Sequence, residues 1–182
     1  MRRLLQRAVV LTTLVPMATL ALAPALAAEP APTVAPSCTV RAEPTGPLAP
    51  WSRTIPFSAA ATPSQLPAAA LPLGRAVDLV LAPTPRVRFR VQPEKPGGPV
   101  TYGGMIAINV HQAGTYRVAL GSGAWIDMVS GSAAIASTAH GHGPVCTTVR
   151  KYVDFPLTAG RYTLQIGGNA TQRIQAMVVR LP

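Results

Sequence analysis

The chain has 182 residues and a formal net charge of +10, with 16 basic residues against 6 acidic ones, 20 prolines, 15 glycines and two cysteines. That length allows one domain with a real core and leaves little room for a second. Scarce acids disfavour a paired-carboxylate hydrolase or a calcium site, and scattered basic residues with only 5% aromatics lack the concentrated patch and stacking platforms of a nucleic-acid binder.

The chain opens with "MRRLLQRAVVLTTLVPMATLALAPALA". Arg2, Arg3 and Arg7 form a positive n-region, residues 8–23 carry no charge, and Ala25-Leu26-Ala27 is an A-x-A cleavage signal. This pattern predicts a secretory signal peptide over 1–27. The apolar run is interrupted by Pro16 and Pro24, short of the roughly 20 apolar residues of a spanning helix, so no stable membrane insertion is expected after cleavage. The expected location is the periplasm or exterior of a bacterium. Removing the leader takes three arginines and no acid, which leaves a chain of about +7 with some attraction for acidic partners.

Residues 28–72 are rich in Pro and Ala. Proline fixes its own φ and lacks an N–H, so the stretch reads as an extended arm without long helices or central strands. Trp51, Ile55 and Phe57 are its large apolar residues and are expected to dock the arm on the domain. Cys38 and Cys146 are the only two cysteines. In an exported protein such a pair is most simply a disulfide, closing a loop that the chain-entropy model values at roughly 4–5 kcal/mol.

From residue 73 to 182 short β-like runs alternate with Gly and Pro signals. The predicted strands are 76–82, 87–91, 105–111, 115–120, 124–130, 133–139, 147–155, 161–166 and 174–181. Ile106, Ile108 and Val110 share one face, as do Tyr116, Val118 and Leu120. In "VRFRV" Val87, Phe89 and Val91 would face the core, with Arg88 and Arg90 outside. Period two with one buried face predicts an antiparallel sheet. Eight or nine such strands at intervals of about ten residues predict an all-β sandwich with jelly-roll character. "QAGTYRVAL" and "TAGRYTLQI" share A-G-x-Y before an alternating run. Each predicts a strand opened by a tyrosine whose hydroxyl bonds back to the turn behind it, as in a tyrosine corner.

The chemistry-bearing residues cluster in "AHGHGPVC". His140 and His142 lie two residues apart and would share a face if extended. With Cys146 as a third ligand and His111 as a fourth, they would suit copper or zinc. If Cys146 is oxidised to Cys38, the same loop merely joins two strands. An H-x-H pair in a β protein also resembles a cupin metal motif, which continues with a Glu three or four residues later; here that window holds Cys146 and Thr147. Ser130, His140 and Asp127 can be combined into a triad only on paper, for there is no G-x-S-x-G elbow. Trp125 and Asp127 would share the face of their strand opposite Ile126 and Met128, as a possible sugar-stacking surface or as a packed face with Asp127 bonded to Arg117 or Arg150.

"AGTYRVALGSGAWIDMVSG", "HGHGPVC" and "RKYVDFPLTAGRYTLQIGGN" resemble a group of small exported proteins of Alphaproteobacteria that carry the name homogentisate 1,2-dioxygenase. The strand pattern is also similar to pre-peptidase C-terminal domains of secreted bacterial proteins. The resemblance spans 73–181. The first likeness implies a non-haem iron dioxygenase, with His111, His140 and His142 as iron ligands and Asp127 or Asp154 as the carboxylate. The second implies a non-catalytic accessory or binding domain, without cofactor, whose partner is a protein or a polysaccharide. The leading expectation is the second.

Overall fold

A computed structural model describes residues 37–182; the predicted signal peptide and the arm as far as residue 36 lie outside the described residues. In chain order the strands are β1 (Thr54–Ser58), β2 (Ala76–Val80), β3 (Ala82–Pro83), β4 (Tyr102–Val110), β5 (Gly114–Leu120), β6 (Trp125–Ser130), β7 (Ala133–Ile135), β8 (Ala139–Gly141), β9 (Lys151–Leu157), β10 (Gly160–Asn169) and β11 (Arg173–Arg180). They form a six-stranded sheet, β1-β2-β11-β5-β9-β8, and a five-stranded sheet, β3-β4-β10-β6-β7. Every pairing is antiparallel except β1 with β2. The ladders β2·β11, β4·β10, β5·β9 and β6·β7 are nested, first strand with last. That is one long hairpin rolled over itself, the connectivity of a jelly roll.

The predicted alternation builds the core between the sheets. Ile106, Ile108 and Val110 of β4 meet Tyr116, Val118 and Leu120 of β5, Phe155 of β9 and Leu164 and Ile166 of β10 in one buried cluster. Both A-G-x-Y tyrosines behave alike. Tyr116 donates its hydroxyl to the Gln112 carbonyl at 2.7 Å, and Tyr162 to the Thr158 carbonyl at 3.0 Å, each four residues back. One such corner opens β5 in the six-stranded sheet and the other opens β10 in the five-stranded sheet.

The proline-rich arm covers the outer faces of both sheets. Its first 3₁₀ segment, Gly46–Ser52, lays Leu48 and Trp51 on Ala76, Ala119 and Met177 of the six-stranded sheet. Trp51 is completely buried. Its indole N–H donates to the Thr148 hydroxyl at 2.7 Å, and its carbonyl accepts from the Gln175 side-chain amide. The chain then runs as β1 along β2, with Pro56 tolerated because β1 is an edge. Ala60 pairs with Met105 of β4 in the other sheet. A second 3₁₀ segment, Pro63–Ala68, follows, opened by a Thr62–Gln65 capping box, and its Leu66 packs with Ala60, Ala69 and Phe89 over Met105. Prolines start both segments, where a missing N–H costs nothing.

"VRFRV" is a correction. Its alternation is real, with Val87, Phe89 and Val91 half-buried and Arg88 and Arg90 exposed, yet it joins no ladder. The backbone N–H groups of Arg90 and Val91 donate to Gln165 Oε1 at 2.8 and 3.2 Å, and Gln165 Nε2 donates to the Val91 carbonyl at 2.8 Å. One fully buried amide on the outer face of β10 thus stands in for a neighbouring strand. The strap of residues 84–101 lies across that face. Gly97, at φ +92°, lets it dock: a Cβ there would sit 2.5 Å from Gly168 Cα, in the irregular stretch of β10.

Other boundaries also move. The predicted strand 76–82 resolves into β2 and β3, and the predicted strand 133–139 into β7 and β8, each pair divided between the two sheets, and the strand expected from Thr147 begins at Lys151. Cys146 stands in the loop before β9, at φ 64°, in the left-handed region that non-glycine residues rarely adopt.

Candidate functional site

The histidine loop resolves first. Cys38 and Cys146 form a disulfide with a Cα–Cα distance of 5.3 Å, and the Ala42 N–H donates to the Cys146 carbonyl at 2.9 Å. A disulfide sulfur is no thiolate, so Cys146 is not available as a ligand. His140 lies in β8 opposite Val153, and the exposed His142 has its Nδ1 3.1 Å from the Arg150 carbonyl. His111 is exposed in the β4–β5 turn. Among the described residues no three His, Cys, Asp or Glu side chains come together so as to hold a metal ion.

Trp125 and Asp127 do share the outer face of β6, as their spacing predicts. The Trp125 indole N–H donates to Asp127 Oδ1 at 2.9 Å. The Lys95 and Lys151 ammonium groups lie 5.1 and 5.5 Å from the centre of the same indole, within cation–π range. Lys151 also donates to the Ala124 carbonyl at 2.9 Å. The ring thus already serves two cations, and its single donor is spent on Asp127. Burial pushes the Asp127 carboxyl above the usual carboxylate range, against the Trp125 hydrogen bond and with added repulsion from Glu94. Burial, aided by Lys95, pushes the Lys151 ammonium below the usual lysine range.

The pairing of Asp127 with Arg117 or Arg150 is not what forms. Arg117 holds Asp154, its cross-strand neighbour on β9, through two hydrogen bonds of 2.8 Å each, and its guanidinium stacks 3.8 Å from the Tyr152 ring centre. Asp154 is 4% exposed, so this pair satisfies a buried carboxylate and has a structural role. Its hydrogen bond holds the Arg117 pKa above the ordinary arginine value.

A cleft on the five-stranded sheet lies elsewhere. A half-open cleft of about 360 Å³ is bounded by the 3₁₀ segment at Pro63, Leu66 and Pro67 and by Arg90 from the strap. Its floor is the outer face of the sheet: Ala107 and Asn109 of β4, Val129 of β6, and Arg161 and Thr163 of β10. No acid lines it. A larger, more open hollow of about 720 Å³ beside β1 holds Arg53 and Arg75, again without an acid. Among the described residues the ion pairs are Arg117–Asp154 and Arg173–Asp78. Arg86, Arg88, Arg90 and Arg161 therefore have no carboxylate partner there. In the sequence the strap arginines read as the solvated face of a strand, and nothing singles out Arg161. No local signal links residues 71 positions apart, and only the draping of the strap over β10 brings Arg90 and Arg161 to one cleft.

No protein-family model, no curated protein and no solved structure matches the chain.

Proposed function

We propose that this chain is an exported, non-catalytic binding module of the bacterial cell envelope, and that its partner is an acidic polysaccharide. One observation carries the reading: the five-stranded sheet and its strap present Arg86, Arg88, Arg90 and Arg161 to solvent with no carboxylate to neutralise them. Each such charge is worth little alone, but several within about one Debye length (8–10 Å at physiological salt) act together on a polyanion. The leader pattern and the disulfide fit an oxidising compartment outside the cytoplasm. The resemblance of 73–181 to pre-peptidase C-terminal domains, which are accessories, agrees with the same role.

The test is affinity electrophoresis in gels containing polygalacturonate or neutral dextran. Retardation is expected in polygalacturonate alone, and it should fade between about 50 and 500 mM salt as screening shortens the Debye length. The double variant Arg86→Ala/Arg88→Ala should lose most of it. Equal retardation in dextran, or none in polygalacturonate at low salt, would overturn the reading.

A further inference from the structure

We propose a second site, which shares Arg90 and Arg161 with that arginine surface: the cleft between the 3₁₀ segment Pro63–Ala68 and the strap binds a small amphipathic carboxylate, one anionic head on an apolar body. Strand register places its parts side by side. On β10 the outward residues are Arg161 and Thr163; Arg161 is opposite Asn109 of β4, and Thr163 is opposite Ala107 of β4 and Val129 of β6. Val129 and Leu66 are almost fully covered, and the apolar surface left open in the cleft is that of Pro63, Pro67, Ala70 and Ala107. Arg90 enters from above, its Nη1 3.4 Å from the Gly131 carbonyl at the β6–β7 turn.

Two guanidiniums therefore line one cleft with no acid between them. Neither has a carboxylate partner among the described residues, so a bound anion would supply the counter-charge that both lack. A guanidinium presents a planar fork of donors that suits a carboxylate. The rest of the lining, Pro63, Pro67, Ala70 and Ala107, offers an anion nothing but offers an aliphatic body an apolar surface. A bare inorganic anion would leave that surface wet, and a neutral apolar molecule would leave both arginines unmatched. The volume, about 360 Å³, lies in the range of small-molecule sites, roughly 300–1,000 Å³.

The test is isothermal titration calorimetry at pH 7 and low salt with hexanoate, and with hexanamide and acetate for comparison. Hexanoate is expected to bind saturably. Hexanamide lacks the charge and acetate lacks the body, and each should bind at least about tenfold more weakly. Arg161→Ala should weaken hexanoate about tenfold, whereas Arg88→Ala, a strap arginine that does not line the cleft, should change it less than about twofold. Both arginines are exposed, so neither change removes core packing. Ala107→Leu keeps both arginines but fills the floor, and it should abolish binding with the thermal unfolding midpoint retained. Hexanamide binding as well as hexanoate, no saturable hexanoate binding, or an equal loss in Arg88→Ala would each overturn the site. The polysaccharide reading is read out separately, through Arg86 and Arg88 in gels, so either proposal can fail while the other stands.

Discussion

Trp51→Ala tests whether the arm is part of the fold or merely tethered to it. Trp51 is completely buried against Ala76, Ala119, Val149 and Met177 on the outside of the six-stranded sheet. A buried tryptophan hides about 150–250 Å², which at about 25 cal/mol per Å² comes to about 4–6 kcal/mol as an upper bound. The change also takes away the donor to Thr148. The Gln175 bond goes to the Trp51 backbone carbonyl and is retained. Large-to-small core changes of this kind cost about 3–5 kcal/mol, and that is the expected loss. It is read from urea unfolding with the disulfide intact, followed by far-UV circular dichroism because the change removes a fluorophore. The transition midpoint should fall with the m-value constant. A loss below about 1 kcal/mol would show that the Gly46–Ser52 segment does not cover the sheet, and that the disulfide and the β1–β2 ladder hold this part of the arm.

Three further outcomes follow from the hydrogen bonds and charges. Tyr116→Phe removes a hydroxyl bonded to the Gln112 carbonyl and should cost about 1–1.5 kcal/mol in urea unfolding; Tyr162→Phe, at a more exposed corner, should cost less. Equal, negligible losses would refute a corner role. Gln165→Leu leaves the N–H groups of Arg90 and Val91 and the Val91 carbonyl without their partner, so it should cost about 2–3 kcal/mol and speed amide exchange across the strap. Unchanged exchange at residues 90–91 would contradict the stand-in role of that amide. Asp127 binds its proton more tightly folded than unfolded. Its stabilising contribution is therefore present below about pH 4 and is lost as pH rises through the raised folded value, so that at pH 7 the ionised carboxylate is a cost. Asp127→Asn should raise the unfolding midpoint at pH 7 and flatten its pH dependence above about pH 4, since an amide oxygen still accepts from Trp125. A lower midpoint at pH 7 would refute this sign.

Local pattern was enough for the frame of the molecule. Alternation in 105–110, 115–120 and 161–166 shows which face of each strand is apolar, and one apolar face per strand requires a second sheet to cover it. The two A-G-x-Y segments named their own corners because the tyrosine, the turn and the bonded carbonyl all fall within five residues. Two lone cysteines behind a leader-like pattern had one simple use, and they form that disulfide. The shared face of Trp125 and Asp127 was legible too, since it follows from two residues of one strand, but the hydrogen bond between them was not.

What lies on the outside of the sheets was decided by tertiary structure. "VRFRV" has the period of a strand, but an extended segment becomes one only where a free edge meets it, and here a buried glutamine on a sheet face received it instead. The large apolar residues of the proline-rich arm announced that it docks, but nothing in its composition says which outer sheet faces Trp51 and Leu66 will cover. Lys95 and Lys151 reach Trp125 from a loop and from the other sheet, and so change a free aromatic ring into an engaged one. His140 and His142 kept their spacing but gained no further ligand among the described residues, because the disulfide took the nearest one. The cleft has the same origin. Sequence determines which side chains leave a strand on the same face; only the path of the chain across that face determines which of them meet, and Arg90 and Arg161 meet because Gln165 holds the strap above β10.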